Sequence, residues 1–359
     1  MAKIKAFSEL SNIFVNYFIK SDKLKFFMKK VLGLGNALVD VMTPLKDDSI
    51  IEQLGFARGS MNLVDKEKSR KIKETTAEFV TNMAPGGSAA NTIHGLSKLG
   101  VFSGFIGAIG DDPTGRIFEK NMQSAGVKTH LCIKDTDTGT AVAMISPDSE
   151  RTFATHLGAA EMISADDLDR NVFREYDFLY LEGYLISNPE LVERACSYAK
   201  EEGLKIAIDL SSFNVVEIFM DDFTYIIDKY IDIIFANELE AKAFTGKKPE
   251  EALEMLASKS EIAVVKTGEK GSLIQGSLIY AAEGMSRVDA LDVESIDSTG
   301  AGDLYASGFI YGLVNNASLE KCGAYGTKLA AEVIQVIGPK IDKYAWPEIK
   351  KTFLESTDR

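Results

Sequence analysis

The chain has 359 residues, enough for one large α/β domain with a smaller appendage, or for two domains. Its composition, 45% hydrophobic and 26% charged, is that of an ordinary soluble globular protein, and a net charge of −13 argues against general binding to nucleic acid or an acidic membrane. The three cysteines, Cys132, Cys196 and Cys322, have no CxxC spacing, which fits reduced buried thiols and a cytoplasmic location.

Residues 1–27 read as an N-terminal extension, mildly basic and amphipathic (Phe14, Phe18, Lys20, Lys23, Phe26) and without a secretory cleavage pattern. No stretch reaches the roughly 18 apolar residues of a membrane span. Lys30 to Asn36 reads as a buried first strand, and 37–65 as short strands around a helical turn. Lys66 to Thr81 is polar and helical, and Ser88 to Leu99 is a helix that Ser88 is placed to cap. A strand at 102–109 and a helix at 114–125 follow, then three short β-like pieces at 129–133, 140–145 and 151–156. From there strands at 178–181, 205–210, 231–236 and 262–266 alternate with helices at 189–201, 215–229 and 238–245. A β-rich patch at 272–281 and helices at 301–314 and 319–336 close the chain.

Such alternation predicts a three-layer α/β fold, a mostly parallel sheet covered by helices on both faces, with ligands beyond the carboxyl ends of the strands. The large domain is then 28–37, 65–128 and 157–359. The segments 38–64 and 129–156 break the alternation and are read as one small sheet, discontinuous in sequence, covering the site.

The most informative run is Asp297-Ser-Thr-Gly-Ala-Gly-Asp303 before the apolar stretch to Val314. Glycines at a helix start leave unpaired N–H groups at the positive end of the dipole, a natural anion site. The carboxylate of Asp303, in the first turn, can accept a proton from a hydroxyl while Gly300, Ala301 and Gly302 hold a migrating phosphoryl group. An ordinary capped helix explains the same residues.

Other motifs stand at strand ends or helix starts. Asp40 can accept hydrogen bonds from vicinal hydroxyls or satisfy its own turn, and Gly86-Gly87-Ser88-Ala-Ala-Asn91 is a second glycine-rich helix start. Asn237 and Glu240, three apart on one helical face, can hold hydrated Mg²⁺ and phosphate oxygens. Thr267-Gly268-Glu-Lys-Gly271 is a nucleotide wall or a tight hairpin. There is no P-loop, no dinucleotide fingerprint (Leu38 stands at the third glycine position) and no nucleophile elbow.

The chain resembles the ribokinase-like (PfkB-type) kinases of sugars and nucleosides from about Lys30 onward, on its early and late glycine motifs. Within that group it is most similar to adenosine kinases. The similarity rests on Gly35-Asn36-Ala-Leu-Val-Asp40, Thr138-Gly139-Thr140, Glu150-Arg151-Thr152, Asp209-Leu-Ser211 and Asn237-Glu-Leu-Glu240.

The resemblance implies a ribokinase-like sandwich with a β lid, and transfer of the γ-phosphoryl of ATP to a hydroxymethyl group. Asp303 would be the base and Gly300, Ala301 and Gly302 the anion hole. Asp40, Gly86, Gly87 and Asn91 would bind the acceptor. Asn237, Glu240, Gly268, Thr299 and Gly338 would serve ATP, with Glu240 holding Mg²⁺ through water. Loops at Asp297 and Gly338 would hold a monovalent cation such as K⁺. The acceptor is a ribonucleoside or, alternatively, a sugar such as ribose or fructose, and the assembly a monomer or a lid-mediated homodimer. A catalytically silent binding protein on the same scaffold is a third reading. His156, where relatives carry Asn, and Glu182, where a small residue is common, would add an imidazole and a carboxylate near the acceptor.

Overall fold

A computed structural model describes residues 29–148, 150–268, 275–281 and 284–357. The extension 1–27 lies outside the described residues, as does 269–271 of the Thr267–Gly271 turn. In chain order the strands are β1 Val31–Leu34, β2 Leu38–Pro44, β3 Met61–Leu63, β4 Asn82–Gly86, β5 Ser103–Gly110, β6 Lys128–Lys134 and β7 Thr138–Ile145. They continue with β8 Arg151–Gly158, β9 Phe178–Glu182, β10 Lys205–Asp209, β11 Ile233–Asn237, β12 Ile262–Gly268, β13 Gln275–Ala281 and β14 Gly284–Val288.

The large sheet runs β14-β13-β12-β11-β10-β9-β1-β5-β6, parallel from β12 to β6 and antiparallel at β13 and β14. Its inner strands are apolar runs, because helices cover both faces and leave no solvent side to alternate with. β1 and β5 are buried throughout. One face packs on helices Ser88–Leu99, Ala301–Val314 and Leu319–Val333, and the other on Pro189–Glu201, Met220–Tyr230 and Pro249–Ala257. The order reverses between β1 and β9, where a crevice opens at the strand ends in this class of fold. The small sheet, β3-β8-β7-β2-β4, stands over that crevice.

The structure departs from the sequence reading in several places. Residues 66–81 are helical only to Phe79, as an α-helix to Thr76 and a 3₁₀ turn Ala77–Phe79, and the chain then forms β4, which pairs antiparallel with β2. This strand is short and half exposed and carries Pro85 on a sheet edge, so it shows no alternation. The piece at 129–133 does not join the small sheet. It is part of β6, parallel to β5 at the edge of the large sheet, because helix Pro113–Ser124 returns it there as a βαβ crossover. The helix at 215–229 is two helices, Phe213–Ile218 and Met220–Tyr230, and helices Pro249–Ala257 and Trp346–Thr357 add to those the sequence pattern predicts. No helix of the described residues is long and apolar enough to cross a membrane.

Candidate active site

The cleft between the two sheets encloses about 1520 Å³. That exceeds the roughly 300–1,000 Å³ of a site for one small molecule and suits two substrates side by side. Asn36, Asp40, Gly87, Glu182, Asp209, Asn237, Glu240, Lys266, Gly268 and the run Ser298 to Asp303 all line it. Strand ends and helix starts separated by hundreds of residues therefore meet at one opening.

Helix Ala301–Val314 starts at Gly300, whose φ of +79° favours glycine, and a Cβ there would press on Pro339 at 2.8 Å. The Ala301 N–H turns back to the Ser298 carbonyl. The N–H groups of Gly300, Gly302 and Asp303 have no backbone acceptor among the described residues, and these are the donors left for an anion. Asp297 braces the loop. Its Oδ1 accepts from the Thr299 N–H at 2.9 Å and its Oδ2 from the Gly338 N–H at 2.5 Å. Gly338 thus braces the anion loop through Asp297 and is not among the residues lining the cleft.

Asp297 also forms a buried ion pair with Arg151, which reaches over from β8. The carboxylate expected to attract a monovalent cation is already paired with a guanidinium and offers K⁺ little net charge.

Asp303 accepts from Ser88 Oγ at 2.7 Å and from Asn91 Nδ2 at 2.9 Å, while Lys340 Nζ donates to Asn91 Oδ1 at 3.0 Å. The lysine fixes the Asn91 amide so that its NH₂ faces the Asp303 carboxylate. Ser88 does not cap its helix, contrary to the sequence expectation; Gly87 holds that position instead, and the Ser88 hydroxyl is left to serve Asp303. Burial pushes the Asp303 carboxyl up to about 6 against the Asn91 and Ser88 hydrogen bonds. Asp40 is pushed to about 7 by burial, with Lys340 opposing, and burial lowers Lys340 to about 8. A carboxyl near 6 is poised to act as a base at neutral pH.

Gly86 lies across the β2–β4 ladder from the Asp40 side chain, whose carboxylate occupies the space a Cβ at Gly86 would need. Gly87 has φ +93° and approaches the Asn36 carbonyl too closely for any side chain. Glu182 is buried at the cleft floor, accepting from Asn36 N at 2.9 Å, Asn36 Nδ2 at 2.5 Å and Ala89 N at 2.8 Å. It ties the end of β1 to the start of helix Ser88–Leu99. His156 is not at the cleft. The side chains of β8 alternate, so Phe153, Thr155 and Leu157 face the opening. His156 faces the other way, its Nδ1 against the Val64 carbonyl at 3.3 Å.

Asn237 and Glu240 cap their helix reciprocally: Asn237 N and Nδ2 donate to Glu240 at 2.7 Å each, and Glu240 N donates to Asn237 Oδ1 at 2.9 Å. Burial and the nearby Asp209 raise the Glu240 carboxyl. Each of its oxygens accepts one of these bonds and keeps a second lone pair, enough for a metal-bound water. Carboxylates here (Asp40, Glu182, Asp209, Glu240, Asp297, Asp303) outnumber cations (Arg151, Lys266, Lys340), and the donor set is all oxygen. Both features fit Mg²⁺, which needs no complete protein cage; no cluster of three or more ligating side chains is found among the described residues. Sequence reasoning missed Lys266, Lys340 and the Ser88 hydroxyl. Their partners lie 57, 249 and 215 residues away, and no local pattern marks them.

A crevice at the topological switch point, with a carboxylate beside a glycine-lined helix start, suits a phosphotransferase. Residues 57–345 match the pfkB family carbohydrate kinase, and the chain belongs to that family of kinases. The crystal structure of adenosine kinase from Sinorhizobium meliloti superposes with a TM-score of 0.82 at 31% identity, covering 90% of this chain and 99% of that one. An adenosine kinase of Saccharomyces cerevisiae is 28% identical over 85% of this chain and 95% of its own length. A 5-dehydro-2-deoxygluconokinase of Halalkalibacterium halodurans is also 28% identical, over 81% of this chain and 90% of its own.

Proposed function

We propose that this kinase transfers the γ-phosphoryl group of ATP to the 5′-hydroxymethyl group of a ribonucleoside, with adenosine the first candidate. The observation that carries the reading is the apolar lining of the cleft that also holds Asp303. Met61, Leu63 and Phe153 come down from the small sheet, and Tyr184, Leu185 and Phe213 line the same cleft from the large one. A flat heterocycle gains on the order of 1–3 kcal/mol from stacking between such walls, whereas a bare sugar has no π face to offer. Charge supports the same reading. Of the two basic residues lining the described cleft, Arg58 is paired with Asp48 and Asp148 and Lys266 with Asp209. An acidic sugar would need a free cation there.

In this reading Asp40 accepts from the ribose hydroxyls beside Gly87, while Asn91 and Gly86, which do not line the cleft, act through their neighbours: Asn91 orients Asp303, and Gly86 leaves room for the Asp40 carboxylate. Asp303 takes the proton of the 5′-hydroxyl as its oxygen attacks the γ-phosphorus, and the N–H groups at Gly300, Gly302 and Asp303 receive the phosphoryl oxygens. Asn237, Thr299 and Gly268 border the nucleotide. Mg²⁺ held through water by Glu240 would neutralise phosphate charge. The small sheet excludes water when it lies over the cleft.

The sugar-kinase reading draws equal support from the relatives. A coupled ADP-release screen against nucleosides, pentoses, hexoses, sugar acids and their phosphates separates the two. Adenosine or another nucleoside is expected to lead in kcat/KM by at least tenfold; a sugar or sugar acid leading by that margin replaces the proposal with the sugar-kinase reading.

A further inference from the structure

Lys266 stands at the carboxyl end of β12, where the preceding Ala263, Val264 and Val265 are fully buried apolar residues. Its Nζ pairs with Asp209 Oδ2 at 2.7 Å, with side-chain exposures of 8% and 5%. The same nitrogen lies 3.1 Å from the point where a Cβ on Gly302 would stand, which puts an ammonium beside the unsatisfied N–H groups of the anion site. Glycine at 302 keeps that approach open. Neither of the other buried cations can reach a phosphoryl group there. Arg151 is committed to Asp297, and Lys340 does not line the cleft and donates to Asn91. Arg58, the other basic residue lining the cleft, is paired at the edge of the small sheet.

A buried ion pair is a weak way to stabilise a fold, since its desolvation cost offsets most of its attraction. Here the pair fills no gap in an otherwise polar core. It places one positive charge, aimed and dry, where negative charge accumulates during phosphoryl transfer.

We propose that Lys266 is a catalytic residue whose ammonium contacts the phosphoryl group in transit, and that Asp209 is the positioning residue holding it there. The acceptor oxygen forms its bond to the γ-phosphorus as the bond from that phosphorus to the β,γ-bridging oxygen breaks. The hydroxyl proton passes to Asp303 and ADP leaves with the bond's electron pair. Lys266 stays protonated throughout, keeping one N–H on Asp209 and offering another to the equatorial oxygens. This inference rests on transfer from ATP and not on the identity of the acceptor.

The test compares Lys266→Met, Asp209→Asn and the double variant, using whichever acceptor the screen selects, so that failure of the nucleoside reading does not touch it. The double variant removes both charges together and leaves no uncompensated ion, so it is expected to fold where Lys266→Met alone does not. Its kcat is expected to fall roughly 10² to 10³-fold below that of Asp209→Asn, the range for loss of one donor to a developing charge, with the acceptor KM within about threefold. Binding of ADP with aluminium fluoride, a mimic of the phosphoryl in flight, should weaken by a similar factor while ADP alone binds as before. A double variant within tenfold of Asp209→Asn in kcat, or one that binds ADP–aluminium fluoride as Asp209→Asn does, would reduce Lys266 to a structural partner.

Discussion

The two walls of the cleft are built on different principles. On the large-sheet side, the loops and helix starts that carry the polar groups are shaped by bonds a few residues long: Thr299 N–H to Asp297, the Asn237–Glu240 capping box, and Ser211 N–H to Asp209 Oδ1 at 2.9 Å, while Asp303 and Lys266 add long-range partners. On the small-sheet side no such local bonding holds Asp40, Arg151 and Phe153. Asp40 and Phe153 face the cleft because strands alternate, and what side chains of this sheet meet lies far away in sequence, as Arg151 of β8 meets Asp297. A wall made of helix starts presents backbone and charge, which suits phosphate and proton transfer. A wall made of strand faces presents side-chain area, which suits shape recognition. The large sheet should therefore set turnover and the small sheet the choice of acceptor.

The strongest test is on the large-sheet wall. Asp303→Asn is expected to lower kcat by roughly 10² to 10⁴-fold, the range for a lost general base, without loss of melting temperature. The sign follows from its raised carboxyl. Its folded value of about 6 lies above the ordinary 3.8, so the native state is favoured by the protonated form and loses that contribution as pH rises through 6. A neutral amide carries no such cost. Turnover within a few-fold of wild type would remove Asp303 from the chemistry.

The complementary substitution is Phe153→Ala in the small sheet. Loss of about 1–3 kcal/mol of stacking should raise the acceptor KM by roughly 10 to 100-fold with kcat and the ATP KM nearly unchanged. Steady-state kinetics with both substrates varied decides it, and a collapse in kcat at unchanged KM would break the division of labour between the walls.

A smaller effect concerns the pH profile. The acid limb of kcat/KM should have its midpoint near 6, reporting Asp303. Ser88 and Asn91 donate to the carboxylate and hold that midpoint down, so Ser88→Ala and Asn91→Ala should each move it upward. Their deficit would then be several-fold larger at pH 6 than at pH 8. An equal deficit at both values would mean the hydrogen bonds do not tune the base. The smallest expected effect is that of potassium. Because Arg151 neutralises Asp297, replacing K⁺ by tetramethylammonium should change kcat less than twofold, and a larger activation would place a cation elsewhere in the cleft.

By itself the amino-acid sequence determined what depends on short range. The alternation of apolar strands and amphipathic helices dictated a parallel sheet covered on both faces, and the runs around Gly87 and Gly300 marked tight helix starts, because positive φ combined with so close an approach calls for glycine. Asn91 and Asp303 were legible because each sits within a few residues of such a start, and Asp40 because it closely follows the first apolar strand. Only the tertiary structure decided the rest. It put β6 in the large sheet and β4 in the small one, since hydrogen-bond partners across a sheet leave no trace in a short, half-exposed strand. It turned His156 away from the cleft, because one step along a strand reverses the face. It also gave Lys266, Lys340 and Arg151 their partners. A charge carries no periodicity of its own, and which opposite charge it meets is fixed by chain reversals across the whole domain.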